Sequence, residues 1–159
     1  MRIEPADAGG PEVAALVAAY LADVAAIFGF TLAVPGTDAA QFTPPRGTFL
    51  VVRAESGAAV GGGGVRLLDP ATAELKRMYV APSHRGAGLA ALLLAGLETA
   101  AGELGATRCV LDTHETLSAA RRLYERAGYE PVPAYNDNPD ATHWFAKALG
   151  APASEPGEA

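Results

Sequence analysis

One stretch constrains this chain more than any other: Val80 to Leu94, VAPSHRGAGLAALLL. A strand-like run ends at Val80, Pro82 turns the chain, and RGAGLA opens an Ala/Leu-rich helix. Helix N-termini carry unpaired backbone N–H groups and a partial positive charge. Gly86 and Gly88 lack Cβ, so a ligand can approach that backbone closely, and the segment describes a seat for a phosphate or pyrophosphate. A plain structural turn feeding a helix is one alternative. A dinucleotide-binding turn is another, because Gly86-x-Gly88-x-x-Ala91 fits the G-x-G-x-x-A fingerprint and Asp112 ends a later strand. Against it, five residues including a Pro separate strand from first glycine, where the dinucleotide turn is tight. The motif also starts past mid-chain, with too little sequence left for the remaining parallel strands. A P-loop is excluded, since no Gly-Lys-Ser/Thr follows.

The rest of the chain reads as alternating elements. Arg2 to Glu4 is a short strand, and Pro11 to Ile27 a helix with Val13, Leu16, Val17, Tyr20, Leu21 and Val24 at helical spacing. Phe28 to Pro45 reads as a loop with a short helix near Thr37 to Phe42. Thr48 to Ala54, Ala58 to Leu68 (entered through Gly61 to Gly64) and Glu74 to Val80 are strands. A helix from Gly86 to Leu104 stops at Gly105. Thr107 to Asp112 is a strand, and Leu117 to Ala127 a helix stopped by Gly128. Tyr129 to Val132 and Thr142 to Ala148 close the series. This order predicts a mixed sheet with helices on both faces. The expected domain is 1–149, followed by a disordered Pro/Gly/Ala/Glu tail over 150–159.

Composition narrows the function. The chain has 159 residues, the size of one ordinary domain, and half are hydrophobic, enough for a sizeable core. No run of about eighteen apolar residues exists, so no membrane span is expected. MRIEPADAGGPE places acids, Pro and Gly where a signal peptide needs apolar residues, so the cytoplasm is the expected location. The net charge of −6, without a Lys/Arg block, argues against nucleic acid and suits a cationic substrate such as an amine. The single Cys109 excludes an internal disulfide and reads as buried packing. No pair of His84, His114 and His143 has metal-ligand spacing, so no metal is expected.

Three segments together resemble the GNAT superfamily of acyl-CoA-dependent N-acetyltransferases. Arg85, Gly88 and Ala90 match its acyl-CoA signature, Arg/Gln-x-x-Gly-x-Gly/Ala. AELKRMYV has the form of the family's fourth strand, and ARRLYERAGYEPV, Ala120 to Val132, that of its late helix and following strand. The resemblance implies a single α/β domain. Its sheet would be mixed, mostly antiparallel and about six to seven strands wide, with the fourth and fifth strands splayed apart. It implies acetyl-CoA as co-substrate, its pyrophosphate on the amides of Arg85, Gly86, Ala87, Gly88, Leu89 and Ala90. The pantetheine arm would pair with the strand edge near Met78, Tyr79 and Val80.

The implied reaction is direct attack of a primary amine on a thioester. Glu74 matches the general base of parts of the family; the other reading is an exposed strand-end acid paired with Lys76 or Arg77. His114 is the next candidate base. Tyr124 matches the tyrosine placed to protonate the departing sulfur; the other reading is a helix aromatic that packs its ring and wets its hydroxyl. Glu115 reads as a cap for the Leu117 helix. The acceptor pocket would lie between the Tyr20 to Phe42 region and Pro133 to Thr142, where Asn136, Asp137 and Asn138 either hold a polar substrate or form turns. The acceptor's identity and a homodimer both stay open. A non-catalytic acyl-CoA-binding module is the reading from another functional class.

Overall fold

The structure, a computed structural model, describes residues 1–28 and 39–150. The elements are β1 (Arg2–Ala6), α1 (Pro11–Phe28), β2 (Gly47–Arg53), β3 (Ala59–Asp69), β4 (Thr72–Val80), α2 (Leu89–Glu103), β5 (Arg108–Thr113), α3 (Ser118–Arg126), β6 (Glu130–Pro131) and β7 (His143–Ala148). Short 3₁₀ turns occupy Ala39–Phe42 and Pro82–His84. Thr37 and Asp38, the start of the expected short helix, and tail residues 151–159 lie outside the described residues.

The seven strands form one sheet in the order β1-β2-β3-β4-β5-β7-β6. Every neighbouring pair is antiparallel except β4–β5. Side chains alternate along each strand, which sorts the core into two layers. Phe49 and Val51 of β2 face α1, packing with Val13, Leu16, Val17 and Phe42. Leu50 and Val52 face the other way, toward Leu93, Leu94 and Leu97 of α2, with Leu111 and Phe145. Each such buried side chain contributes about 1.5–3 kcal/mol.

The Gly61–Gly64 run lies within β3, and its bareness is a packing requirement. A Cβ on Gly62 would stand 2.9 Å from Leu50 O and from the Phe49 ring, and one on Gly64 2.6 Å from the Phe42 ring. The opposite face is as tight: a Cβ on Gly63 would meet Leu97 Cδ1 at 3.0 Å. The strand thus lets α1, the Phe42 turn and α2 all approach the sheet closely.

Three boundaries differ from expectation. α2 starts at Leu89, not Gly86, because Gly86 and Gly88 have φ of 85° and 77° and cannot be helical. β6 shrinks to Glu130 and Pro131, although the Val132 N–H still donates to Trp144 O at 2.9 Å. Glu115 does not cap α3: the N-cap is Leu117, without a side-chain bond, while the Glu115 N–H donates to Thr142 Oγ1 at 2.8 Å.

Candidate active site

β4 and β5 separate to make a cleft. They pair over Thr72↔Arg108, Ala73↔Cys109 and Glu74↔Val110, after which β4 runs on to Val80 and β5 to Thr113 with no further pairing. A bulge re-aims β4 at the same point. The register with β3 passes from Gly64↔Lys76 to Gly62↔Tyr79, one extra residue on β4, and Arg77 takes a left-handed φ of 59°. That conformation is rare for a non-glycine residue and concentrates at functional sites.

The edge of β4 facing this gap carries free polar groups. Ala81 N–H donates to Val60 O at 2.8 Å, so the alternation of the strand turns the Val80 N–H toward the gap. Arg85 Nε donates to Val80 O at 2.8 Å, while its Nη2 reaches Asp23 Oδ2 at 3.0 Å and the guanidinium covers the Tyr79 ring. Arg85 therefore braces the end of β4 against α1.

The glycine turn lies beyond that brace. Gly88 caps α2 in a left-handed conformation with no side-chain bond. Among the described residues, the N–H groups of Gly86 through Ala91 meet no backbone acceptor. Nothing lies within 4 Å of where a Cβ on Gly86 or Gly88 would stand. A helix start of this kind presents a row of donors, reinforced by the dipole, to open space.

A cavity of about 280 Å³ fills the β4–β5 gap. Its walls are Tyr20, Leu21 and Val24 of α1, Leu75 to Met78 of β4, Leu111 to Thr113 of β5 with His114, Leu117, Ala120 and Tyr124 around α3, and Asn138 and Asp140 of the last loop. Tyr124 is nine-tenths buried, its ring against Tyr129 and Phe145 and its hydroxyl 4.0 Å from Met78 Sδ. Its hydroxyl is not a wetted surface group. Burial, then Tyr20 and Asp112, pushes its pKa up, so the phenol stays protonated across the neutral range. His114 Nδ1 accepts the Thr116 N–H at 3.1 Å, so the neutral ring carries its proton on Nε2.

Glu74 is 1% exposed, not an exposed strand-end acid. Register places it directly opposite Arg66. Its Oε1 accepts Arg66 Nε at 2.9 Å and Nη2 at 2.8 Å, with Lys76 Nζ at 3.9 Å; its Oε2 accepts the Tyr135 hydroxyl at 2.6 Å. Arg66 also donates to Gln41 Oε1. The carboxylate thus ties β3, β4, the Phe42 turn and the last loop together, and it stands outside the cavity lining. Arg77, its other expected partner, forms no ion pair with it.

Of the sequence-derived residues, Met78 and Tyr124 meet in the cavity, while Tyr79, Val80 and the turn from Arg85 to Ala90 follow Met78 along the chain, outside the cavity lining. Asn138 both faces the cavity and forms a turn, accepting the Asp140 N–H at 3.0 Å. Asn136 is committed to Asp112 Oδ2 at 2.7 Å and to Trp144 Nε1 at 2.9 Å, and Asp137 is exposed. Tyr20 and Asp140 fall within the two segments expected to wall the acceptor pocket, while Arg77 and Asp112 are cavity residues that the sequence reading missed.

Comparison with known proteins agrees with this geometry. Residues 18–129 match the profile of the acetyltransferase (GNAT) family. An uncharacterised N-acetyltransferase of Schizosaccharomyces pombe is 39% identical over 62% of this chain and 61% of its own length. The uncharacterised Escherichia coli N-acetyltransferase YjgM is 38% identical over 65% of each, so the match spans less than two thirds of either relative. A solved Klebsiella pneumoniae structure, named as an acyl-CoA N-acyltransferase, is 30% identical with a TM-score of 0.78, covering 93% of this chain and 97% of that one. An Elizabethkingia anophelis GNAT acetyltransferase with acetyl-CoA bound shares the fold, at 17% identity and a TM-score of 0.65 over 93% of this chain and 97% of that one. With the split β4–β5 pair and the glycine turn where the resemblance put them, the chain belongs to the GNAT acetyltransferase family.

Proposed function

We propose that this protein transfers an acetyl group from acetyl-CoA to the primary amine of a small molecule, by direct attack with both substrates bound. The observation that carries the reading is the succession of three features along one stretch of chain: the cavity holding Tyr124 beside Met78, the unpaired edge of β4 out to Val80, then the N–H groups of Gly86 to Ala91 without backbone acceptors. The residues fit the co-substrate, since amides without acceptors and empty Cβ positions suit a pyrophosphate, and an unpaired strand edge suits an amide-bearing arm. Acetyl-CoA, when bound, supplies an activated acyl carbon and a thiol leaving group. Arg85 contributes as a brace, through its side chain on Val80 O.

The acceptor must lose a proton to attack, because an alkylammonium resembles Lys, with pKa about 10.4. Asp112 lines the cavity with one oxygen held by Asn136 and is the carboxylate placed to take that proton at Oδ1. In this reading Glu74, outside the cavity lining and engaged by Arg66 and Tyr135, holds the strands in place and does not take the proton. His114 Nε2 already bears the proton in the neutral ring, which disfavours it as the base. Tyr124 Oη holds a proton for the departing sulfur. A thiol resembles Cys, with pKa about 8.5, below a phenol raised by burial. Tyr124 therefore acts mainly as a hydrogen-bond donor to a thiolate that can leave.

The test is a panel of small amines with acetyl-CoA, reading free thiol and acetylated product. Turnover of an amine supports the proposal. Acetyl-CoA binding with no acetylated product from any amine would leave a non-catalytic acyl-CoA-binding module instead.

A further inference from the structure

Arg77 is not explained by catalysis or by folding. It occupies the one bulged position of β4, in a left-handed backbone conformation that costs about 1–2 kcal/mol for a side-chain-bearing residue. Among the described residues its guanidinium meets no carboxylate within 4 Å and makes no hydrogen bond; its contact is the Phe42 ring, 5.6 Å from the centroid. Its side chain lines the cavity, half-buried. Lys76 differs, since Glu74 already opposes its charge. The opposite wall carries Asp112 and Asp140, and among the described residues neither has a cation within 4 Å. Tyr20 stands within electrostatic reach of both poles: its phenol is pushed up first by burial, then by Asp112, and drawn back by Arg77.

Uncompensated charges of opposite sign across one small cavity select a ligand that carries both. Resting on the acetyl-transfer reading, we propose that the acceptor is a zwitterionic amino acid, its carboxylate held by Arg77 and its ammonium by Asp112 and Asp140. A plain amine leaves a half-buried guanidinium unpaired, which is costly. A polyamine brings a second cation toward Arg77, and like charges in a partly dry site repel. The guanidinium fork matches a carboxylate in two parallel bonds. A cavity of about 280 Å³ lies just below the usual range of ligand sites, roughly 300–1,000 Å³, in keeping with a small acceptor.

The experiment compares L-α-amino acids with their carboxamides and their decarboxylated amines, using wild type, Arg77→Met and Arg77→Lys with acetyl-CoA. Wild type is expected to favour at least one amino acid over its two neutral-ended partners by about tenfold or more in kcat/KM. Arg77→Met should bring that ratio near one, and Arg77→Lys should restore part of it. Calorimetric titration of the preferred amino acid should show the same order of affinities without turnover. Wild type that acetylates the amines or carboxamides as well as the amino acids overturns this inference and leaves acetyl transfer standing. No acetylated product from any compound overturns acetyl transfer, and the inference with it. A preference that survives intact in folded Arg77→Met assigns the carboxylate elsewhere and overturns the role of Arg77. If the variants fail to melt cooperatively, the wild-type ratio decides alone.

Discussion

Glu74→Gln separates a structural carboxylate from a catalytic base. The glutamine can keep both partners, its oxygen accepting from Arg66 and its nitrogen donating to the Tyr135 oxygen, so shape and bond count survive and only charge is lost. A charge-assisted hydrogen bond is worth about 1.5–3 kcal/mol and a neutral one about 0.5–1.5. Glu74 accepts from two Arg66 nitrogens and from Tyr135, so the variant should lose about 2–3 kcal/mol. The figure stays below the 3–5 kcal/mol of breaking a fully buried pair, because Arg66 is 27% exposed. For a chain of this size each kcal/mol shifts Tm by about 2–4 °C, giving a fall of roughly 4–12 °C. Calorimetric melting measures it, beside kcat across pH 6 to 10. The expected rate loss is modest and independent of pH. Asp112→Asn should behave oppositely, with little change in Tm and a rate defect that shrinks as pH approaches the amine's own pKa, where attack needs no base. An unchanged Tm for Glu74→Gln, with a large rate defect that fades at high pH, would refute this reasoning and make Glu74 the base.

Gly88→Ala should lower Tm by roughly 2–8 °C from its left-handed backbone alone, and should weaken acetyl-CoA in calorimetric titration because the methyl group enters the open cradle. Tyr124→Phe should reduce kcat by about a hundredfold or less while acetyl-CoA affinity holds, as read by steady-state rates and titration; loss of stability with full kcat would make the hydroxyl a packing group. Cys109 is fully buried and its thiol is pushed up to about 12, chiefly by burial and then by Glu98. A raised thiol pKa means less thiolate at a given pH, about one part in ten thousand at pH 8 against roughly a quarter for an ordinary thiol. A thiol reagent should therefore label the folded protein far more slowly than the unfolded chain.

What the sequence revealed and what it hid divide along one line, the reach of the interaction. The glycine turn was legible because Pro82, Gly86 and Gly88 act on the backbone where they stand. So was the ending of α2 and α3 at Gly105 and Gly128, both at positive φ. The bulge was hidden, because arginine has no local preference for the φ that Arg77 adopts and the extra residue exists only relative to β3. The burial of Glu74 was hidden for the same reason: Arg66 lies opposite it by register, and Tyr135 arrives from a loop far along the chain. The four glycines of β3 were visible as a run, but their meaning needed Phe42, Phe49 and Leu97 around them.

The proposed function requires that the open edge of β4 and the free amides of the glycine turn hold acetyl-CoA together. Amide hydrogen exchange on the whole protein, with and without saturating acetyl-CoA, tests it directly. The predicted result is slowed exchange at Gly86 to Ala91, whose N–H groups meet no backbone acceptor among the described residues, and at Val80, whose N–H faces the gap. Protection confined to other segments, with both of these exchanging at their unliganded rates, would contradict the account.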